Sequence, residues 1–302
     1  MSIYTDASLI VTPNGKKAGK LYALKGADLD VVRATTASYV GSDGLIKTAL
    51  ANEVRFDYTK GSCPSILVEP QRTNLATYSE QFNNEVWTKL NTTVASNTTN
   101  SPSGDLTADA LAGNGAFGFH LLSFNGTCAN GVNTISIFAK KNTNNFIQLI
   151  GSSSAFGTNV WANFDLNNGV VGSVGSSATS KIENYGNGWY RCTITATATS
   201  ASSPCFSIGL ITSATSARAE SNTLSTSVYL WGAQLEAGAN ATSYIPTVAS
   251  TVTRNADVIS KTGLSGITSI TETFENGTTN VISGSPTSYT MSQGRIKHVI
   301  GL

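Results

Sequence analysis

The 302-residue sequence is long enough to bury a substantial core, about one large domain with appended pieces. Only 12% of its residues are charged and the formal net charge is +1, with Ser, Thr, Asn and Gly in place of the Lys and Glu of ordinary helical enzymes. So nearly neutral a surface argues against nucleic-acid binding by phosphate neutralisation and against attraction to anionic lipid, and it suits neutral partners such as sugars or further copies of the chain.

The opening stretch, "MSIYTDASLIVTPNGKKAGK", has no basic region ahead of an apolar core, so no secretory leader is expected. No apolar run reaches the ~20 residues that cross a bilayer. Synthesis in a cytoplasm without membrane insertion is the expectation. Residues 1–80 form a β-rich N-terminal segment with short strands around a turn at Gly44. Within "NLATYSEQFNNEVW" (74–87), Leu75, Tyr78 and Phe82 fall on one face of a helix, the single helical candidate.

From there the period is two. "NTISIFAK" (133–140) sets Ile135, Ile137 and Ala139 against Ser136, Phe138 and Lys140, and "NFIQLIG" (145–151) follows. "NVWANFDLNNGVVGSV" (159–174) is a hairpin turned at Asn168-Gly169, which supplies the positive φ a tight turn requires. "NGWYRCTITATAT" (187–199), "PCFSIGLI" (204–211) and "SVYLWGAQLE" (227–236) complete the run. The expected fold is all-β: an antiparallel jelly-roll β-sandwich over 81–255, with small β-rich additions at 1–80 and 256–302. The C-terminal piece is marginal alone and needs a neighbour. In 227–236, Tyr229, Trp231 and Leu235 share one face, with Trp231 in the core, and Gln234 and Glu236 form a polar face or interface.

Catalytic motifs are sparse. "GKKAGK" (15–20) lacks the phosphate-loop spacing, and two histidines, His120 and His298, leave little room for a catalytic triad. A glycosidase needs two carboxylates about 5–9.5 Å apart; Asp165, Glu236, Glu69 and Glu80 are on hand, but nothing in the sequence pairs them. Cysteines 63, 128, 192 and 205 are too few and too spread for a disulfide framework or a zinc site, and Cys192 reads as a small buried hydrophobe. No cofactor is expected, with a structural calcium in "DLNNG" (165–169) left open. Trp161 is the aromatic with polar company: it shares a strand face with Asn163 and Asp165, and Gln148 and Arg191 on neighbouring strands could join them. A tryptophan beside amide and carboxylate groups suits a sugar, which stacks on the ring and hydrogen-bonds the rest. Alternatively, the N-terminal segment or another subunit covers this face.

"RTNLATYSEQFNNEVWTK" (72–89), "SIFAKKNTNNFIQL" (136–149), "GNGWYRCTIT" (186–195), "SVYLWGAQLEAGANATSYIPT" (227–247) and "VTRNADV" (252–258) together resemble a module of tailed-bacteriophage virion proteins, the tail-fibre or carbohydrate-binding-like kind. "VVRATTASYVGSDGLIKTALANEVRFDY" and "LVEPQRTNL" resemble the segment that precedes it. The resemblance spans about residues 30–258 and implies a concanavalin-like or jelly-roll sandwich and a structural, non-enzymatic place on the virion. It also implies homo-oligomeric assembly, with a trimer foremost, and contacts with other virion proteins. Its implied location is the released particle, as a tail fibre, head fibre or capsid decoration, with host-surface carbohydrate as a candidate ligand. A purely architectural capsid or tail protein and a glycan depolymerase are the alternatives.

Overall fold

The computed structural model describes residues 3–302, so the first two residues of the stretch read for a leader lie outside it. Among the described residues, no helix is long and apolar enough to cross a membrane. The chain is all-β and its sheets are antiparallel; it divides into two units, one of residues 73–253 and one that joins the chain up to Arg72 with Arg254–Leu302.

In the 73–253 unit, period-two sequences build two six-stranded sheets. One runs Thr92–Thr99, Ala108–Gly113, Ser227–Ala237, Gly131–Lys141, Trp189–Ala198, Thr179–Asn184 (hereafter the first sheet). The other runs Val170–Val174, Trp161–Asp165, Phe146–Gly151, Phe206–Leu210, Leu121–Phe124, Trp87–Leu90 (the second sheet). Alternate residues of both point into one apolar core: Ile135, Ile137, Cys192 and Ile194 from the first, Ile147, Leu149, Ala162 and Phe164 from the second. Two sheets around a shared core are consistent with a β-sandwich.

Three expectations are corrected in this unit. Residues 74–87 form turns and short extended pieces instead of a helix. Leu75, Tyr78 and Phe82 still pack on the core, but the backbone is ruled by Asn74. That buried amide donates to the carbonyls of Ala233 and Ile245 and accepts from the N–H groups of Ala76 and Leu235, and local bonds of this kind compete with a helix. Next, Trp231 is buried as expected, but on the sheet face turned away from the shared core of the two sheets. Gly232, at φ +63°, makes a bulge, so that Ser136 pairs with Gln234 but Phe138 pairs with Trp231. The extra residue flips the strand's phase: Leu230 and then Ala233 and Leu235 enter the core, while Trp231 packs on Phe138 and Tyr244 with ring centroids 5.4 and 4.5 Å away. Finally, Cys128 and Cys205 form a disulfide despite a sequence separation of 77. Phe124 lies opposite Phe206, and this pairing brings the residues beyond the two strands together.

The other unit is built from both ends of the chain. Its main sheet runs Thr279–Ser283, Ser269–Phe274, Gly294–Gly301, Leu9–Lys17, Lys20–Lys25, Leu29–Val32, Val258–Thr262, Ser288–Thr290. The C-terminal strands thus find their neighbours in the N-terminal segment, and the additions expected at 1–80 and 256–302 join in one body, except that residues 73–80 belong to the 73–253 unit. A ten-stranded sheet is completed by Ser65–Val68, paired to Gly294–Gly301, and by Arg55–Asp57 beside it. Leu9, Val11, Leu21, Ile66, Ile270 and Val299 are among its core residues.

A charged cluster is buried in this unit. Arg33 donates to Asp257 at 2.7 Å; Arg55 donates to Glu69 at 2.8 Å and also to Asp257. Arg254 stands 3.4 Å from Glu69. Burial alone would depress the Arg55 pKa, but Glu69 and Asp257 outweigh it and hold that pKa above the ordinary value. The cluster ties chain before residue 70 to chain after residue 253.

Candidate functional site

Gln148, Asn163 and Asp165 share the outward face of the second sheet with half-exposed Trp161. Arg191 does not join them. It stands on the first sheet, because its strand pairs with Gly131–Lys141 and not with Phe146–Gly151.

The polar face around Trp161 is roofed by the chain itself. Gln148 and Asn163 are fully buried and bonded to each other at 2.6 Å. Gln148 also donates to the Ala217 carbonyl and accepts the Ala219 N–H, while Asn163 donates to the carbonyls of Ala214 and Ser216. These bonds clamp the loop 212–222 over the sheet. Glu220 fastens the loop internally by accepting from the Thr212 N–H and hydroxyl and from Ser216. Burial alone would raise the Glu220 pKa, and those donors outweigh it and hold it low. Asp165 accepts from the N–H groups of Asn167 and Asn168 and so shapes the hairpin turn. Among the described residues, no group of three or more His, Cys, Asp or Glu is placed to hold a metal ion.

The first sheet is roofed in the same manner. Past residue 237 the chain folds back over it, and buried Gln234 and Glu236 anchor the return. Gln234 accepts the Ile245 N–H and donates to the Thr242 and Ser243 carbonyls, while Glu236 accepts the Thr242 N–H and hydroxyl. Arg191 donates to the Thr242 carbonyl at 2.6 Å and to Ser136, and its guanidinium lies 5.3 Å from the Phe138 ring centre. Of the residues that looked available for a ligand, Gln148, Asn163 and Arg191 thus serve as loop anchors and Asp165 shapes its turn, while Trp161 stays half-exposed. Sequence alternation puts them on the outward faces, but it carries no sign of the long-range roof.

The carboxylates considered for a catalytic pair are dispersed. Asp165 and Glu236 belong to different sheets, and Glu69 is held in the buried cluster of the other unit. Glu80 and Asp109 both have raised pKa values. For Glu80, burial is the main cause, partly offset by hydrogen bonds from Tyr244 and Trp231; for Asp109, burial is partly offset by the N–H groups of Asn97 and Phe82. Each already holds structure: Glu80 accepts from the Tyr244 hydroxyl at 2.9 Å, and Asp109 from the Phe82 N–H at 3.0 Å.

One opening on the sandwich is a groove of about 260 Å³ where the Thr179–Asn184 edge of the first sheet meets the return at Ala239–Ala241. Thr179, Thr193, Thr195 and Asn240 line it beside the Lys181–Glu183 ion pair, whose charges meet at 2.8 Å. The Thr193 hydroxyl is buried with no hydrogen-bond partner, and the residue is 7% exposed. A χ1 turn would exchange its methyl and hydroxyl and offer the groove a donor and an acceptor. The sequence hint was the run of alternate threonines in "RCTITAT", which an amphipathic strand explains equally well. The groove can hydrogen-bond a small polar ligand, and its one carboxylate and one amine neutralise each other. No protein-family model and no curated protein matches this chain.

Proposed function

We propose that the chain is a structural component of a tailed-phage virion, a fibre or decoration element that works as a homo-oligomer, with a trimer foremost. The observation that carries this reading is the double roof: the polar side chains on both outward faces of the sandwich are spent on clamping the chain's own loops. That is the economy of a rigid display body. The sequence motifs of phage appendage modules support the same reading. On it, the protein is made in the host cytoplasm and exposed on the released particle, where the Cys128–Cys205 disulfide would close once the reducing cytoplasm is left behind.

The jelly roll is part of this proposal. Its support is the strand order. Ala108–Gly113, Ser227–Ala237, Gly131–Lys141 and Trp189–Ala198 are consecutive in the first sheet, and Leu121–Phe124, Phe206–Leu210, Phe146–Gly151 and Trp161–Asp165 in the second. Among these eight strands, every connection but the one from Phe146–Gly151 to Trp161–Asp165 crosses between the sheets, as in two nested Greek keys.

Binding of host-surface glycan is the second reading, favoured by the hydroxyl-lined groove around Thr193. Particle location tests the first reading: immunogold microscopy of purified virions should label heads or tails, and unlabelled particles would overturn it. Light scattering at micromolar concentration should return a multiple of the 31.5 kDa chain mass; a clean monomer would remove the oligomer. Release of reducing ends from host polysaccharide would favour the depolymerase alternative instead.

A further inference from the structure

A concavity opens in the unit built from the two ends of the chain. It measures about 520 Å³ and has three half-buried aromatic walls, Tyr39, Phe56 and Tyr58. Tyr39 comes from the hairpin Ala37–Val40/Ile46–Ala49, Phe56 from the strand Arg55–Asp57, and Tyr58 from just beyond it. Its volume lies within the roughly 300–1,000 Å³ of small-molecule sites.

Its polar groups are fixed in advance. The Lys16 ammonium sits 5.1 Å from the Tyr39 ring centre and 5.5 Å from that of Phe56, and is held at 3.0 Å by both Glu53 and the Val54 carbonyl. It braces the two rings by cation–π attraction. Lys47, opposite Tyr39 in the hairpin, pairs with Asp43 at 2.8 Å. Gly41 lets that pair close in, since a Cβ there would stand 2.9 Å from the Asp43 carboxylate and 3.1 Å from the Lys47 chain. Ser42 and Thr48 add exposed hydroxyls to the lining.

Both lysines are matched by carboxylates, so the cavity has no net charge with which to select an anion. What it offers is aromatic surface bordered by hydroxyls, phenols and one ion pair. A pyranose ring has the complementary build, with an apolar C–H face and hydroxyls around its edge. We propose that this cavity binds a neutral pyranoside of a surface glycan. The inference rests on the glycan reading above but locates the sugar in the unit outside the sandwich.

Saturation-transfer-difference NMR on the full chain tests it, with methyl glucoside, methyl galactoside, methyl N-acetylglucosaminide and glucose 6-sulfate at millimolar concentration. At least one neutral glycoside should receive saturation at its ring C–H protons, and the sulfated sugar should receive less. Tyr39→Ala and Tyr58→Ala should each weaken binding by about tenfold, as expected for a lost stacking contact. Ser42→Arg, at an exposed position that leaves the core untouched, should block the cavity in a protein with unchanged circular dichroism. Binding that survives Ser42→Arg but is lost in Thr193→Val or Trp161→Ala would overturn this proposal and leave the glycan reading standing on the sandwich. Preference for the sulfated sugar, or for a proline-rich peptide, would also overturn it. Silence from every sugar would sink both the cavity and the glycan reading, while the virion reading would still be decided by particle location.

Discussion

The unit that runs to Arg72 and resumes at Arg254 buries three guanidinium groups, those of Arg33, Arg55 and Arg254, against Asp257 and Glu69. The 73–253 unit fastens its loops chiefly with neutral amides, those of Asn74, Gln148, Asn163 and Gln234, and adds the Cys128–Cys205 bond. Both devices solve one problem, the joining of segments far apart in sequence, and they differ in how they fail. A buried charge left without its partner keeps its full desolvation cost, whereas an amide that loses one of several bonds forfeits a smaller sum. The two units should therefore respond differently to the same insult.

The largest expected effect is at Asp257, which faces three buried arginines and also accepts the Glu69 N–H. Asp257→Ala should cost about 3–5 kcal/mol, because it strands buried positive charge. All four tryptophans, at 87, 161, 189 and 231, belong to the other unit. Urea unfolding followed by circular dichroism should therefore shift further than unfolding followed by tryptophan emission. Equal shifts in the two records would show that the units do not differ in the manner described. Next comes the disulfide. Replacing Cys128 and Cys205 by serine should cost about 2–4 kcal/mol, the usual range for a long closed loop, and here tryptophan emission should record the larger shift.

These two devices were not equally legible in the sequence. Strand alternation in "SIFAK" and "VWANF" places Ile135, Ile137, Ala162 and Phe164 inside correctly, because period two is a local property of a half-buried strand. The bulge at Gly232 is local as well, and its one sign is a glycine in mid-strand; alternation carried across it put Trp231 on the wrong side. The covering loops and the charge cluster are non-local. Arg33, Arg55, Glu69, Arg254 and Asp257 are far apart in the chain, and spacing says nothing of their meeting across more than 200 residues. The same limit hid the disulfide and the union of the chain's two ends in one sheet. It also made Gln148, Asn163 and Arg191 look like ligand-binding groups, since an outward polar residue and a loop anchor have the same signature until the loop is in place.

A smaller effect tests the roof. Gln148→Ala removes the acceptor for the Ala219 N–H, 2.7 Å away, and two donors' worth of attachment to Asn163 and the Ala217 carbonyl. It should cost about 1–3 kcal/mol and expose loop 212–222. Amide exchange at Ala219 should quicken, while amides of the buried strand Gly131–Lys141 keep their protection. If Ala219 exchanges at the original rate, the amide clamp is not what holds the loop.

The smallest effect is in pH, and its sign sets buried Glu272 of one unit against Glu80 and Asp109 of the other, although Glu220 in the 73–253 unit is held low like Glu272. Glu272, in the two-ended unit, is fully buried; burial would raise its pKa, but hydrogen bonds from Ser292, Tyr289 and Asn280 outweigh this and hold it low. A carboxylate whose pKa is lower in the folded state adds stability that is present above its unfolded value and fades as pH falls through the folded one. Glu80 and Asp109, in the 73–253 unit, are raised instead, mainly by burial. Their contribution is full below the unfolded carboxylate value and is lost as pH rises through the raised one. Acidification from neutral through the carboxylate range should thus first relieve the 73–253 unit and, below the ordinary glutamate value, weaken the other through Glu272 and the 73–253 unit through Glu220. Thermal unfolding at stepped pH, followed by tryptophan emission and by circular dichroism, should show the two records drawing apart. Glu272→Gln should flatten the acid limb of the dichroism record, and Glu80→Gln the neutral limb of the tryptophan record. If the limbs keep their slopes in these variants, other carboxylates set the response, and the contrast in charge between the units is confined to the arginine cluster.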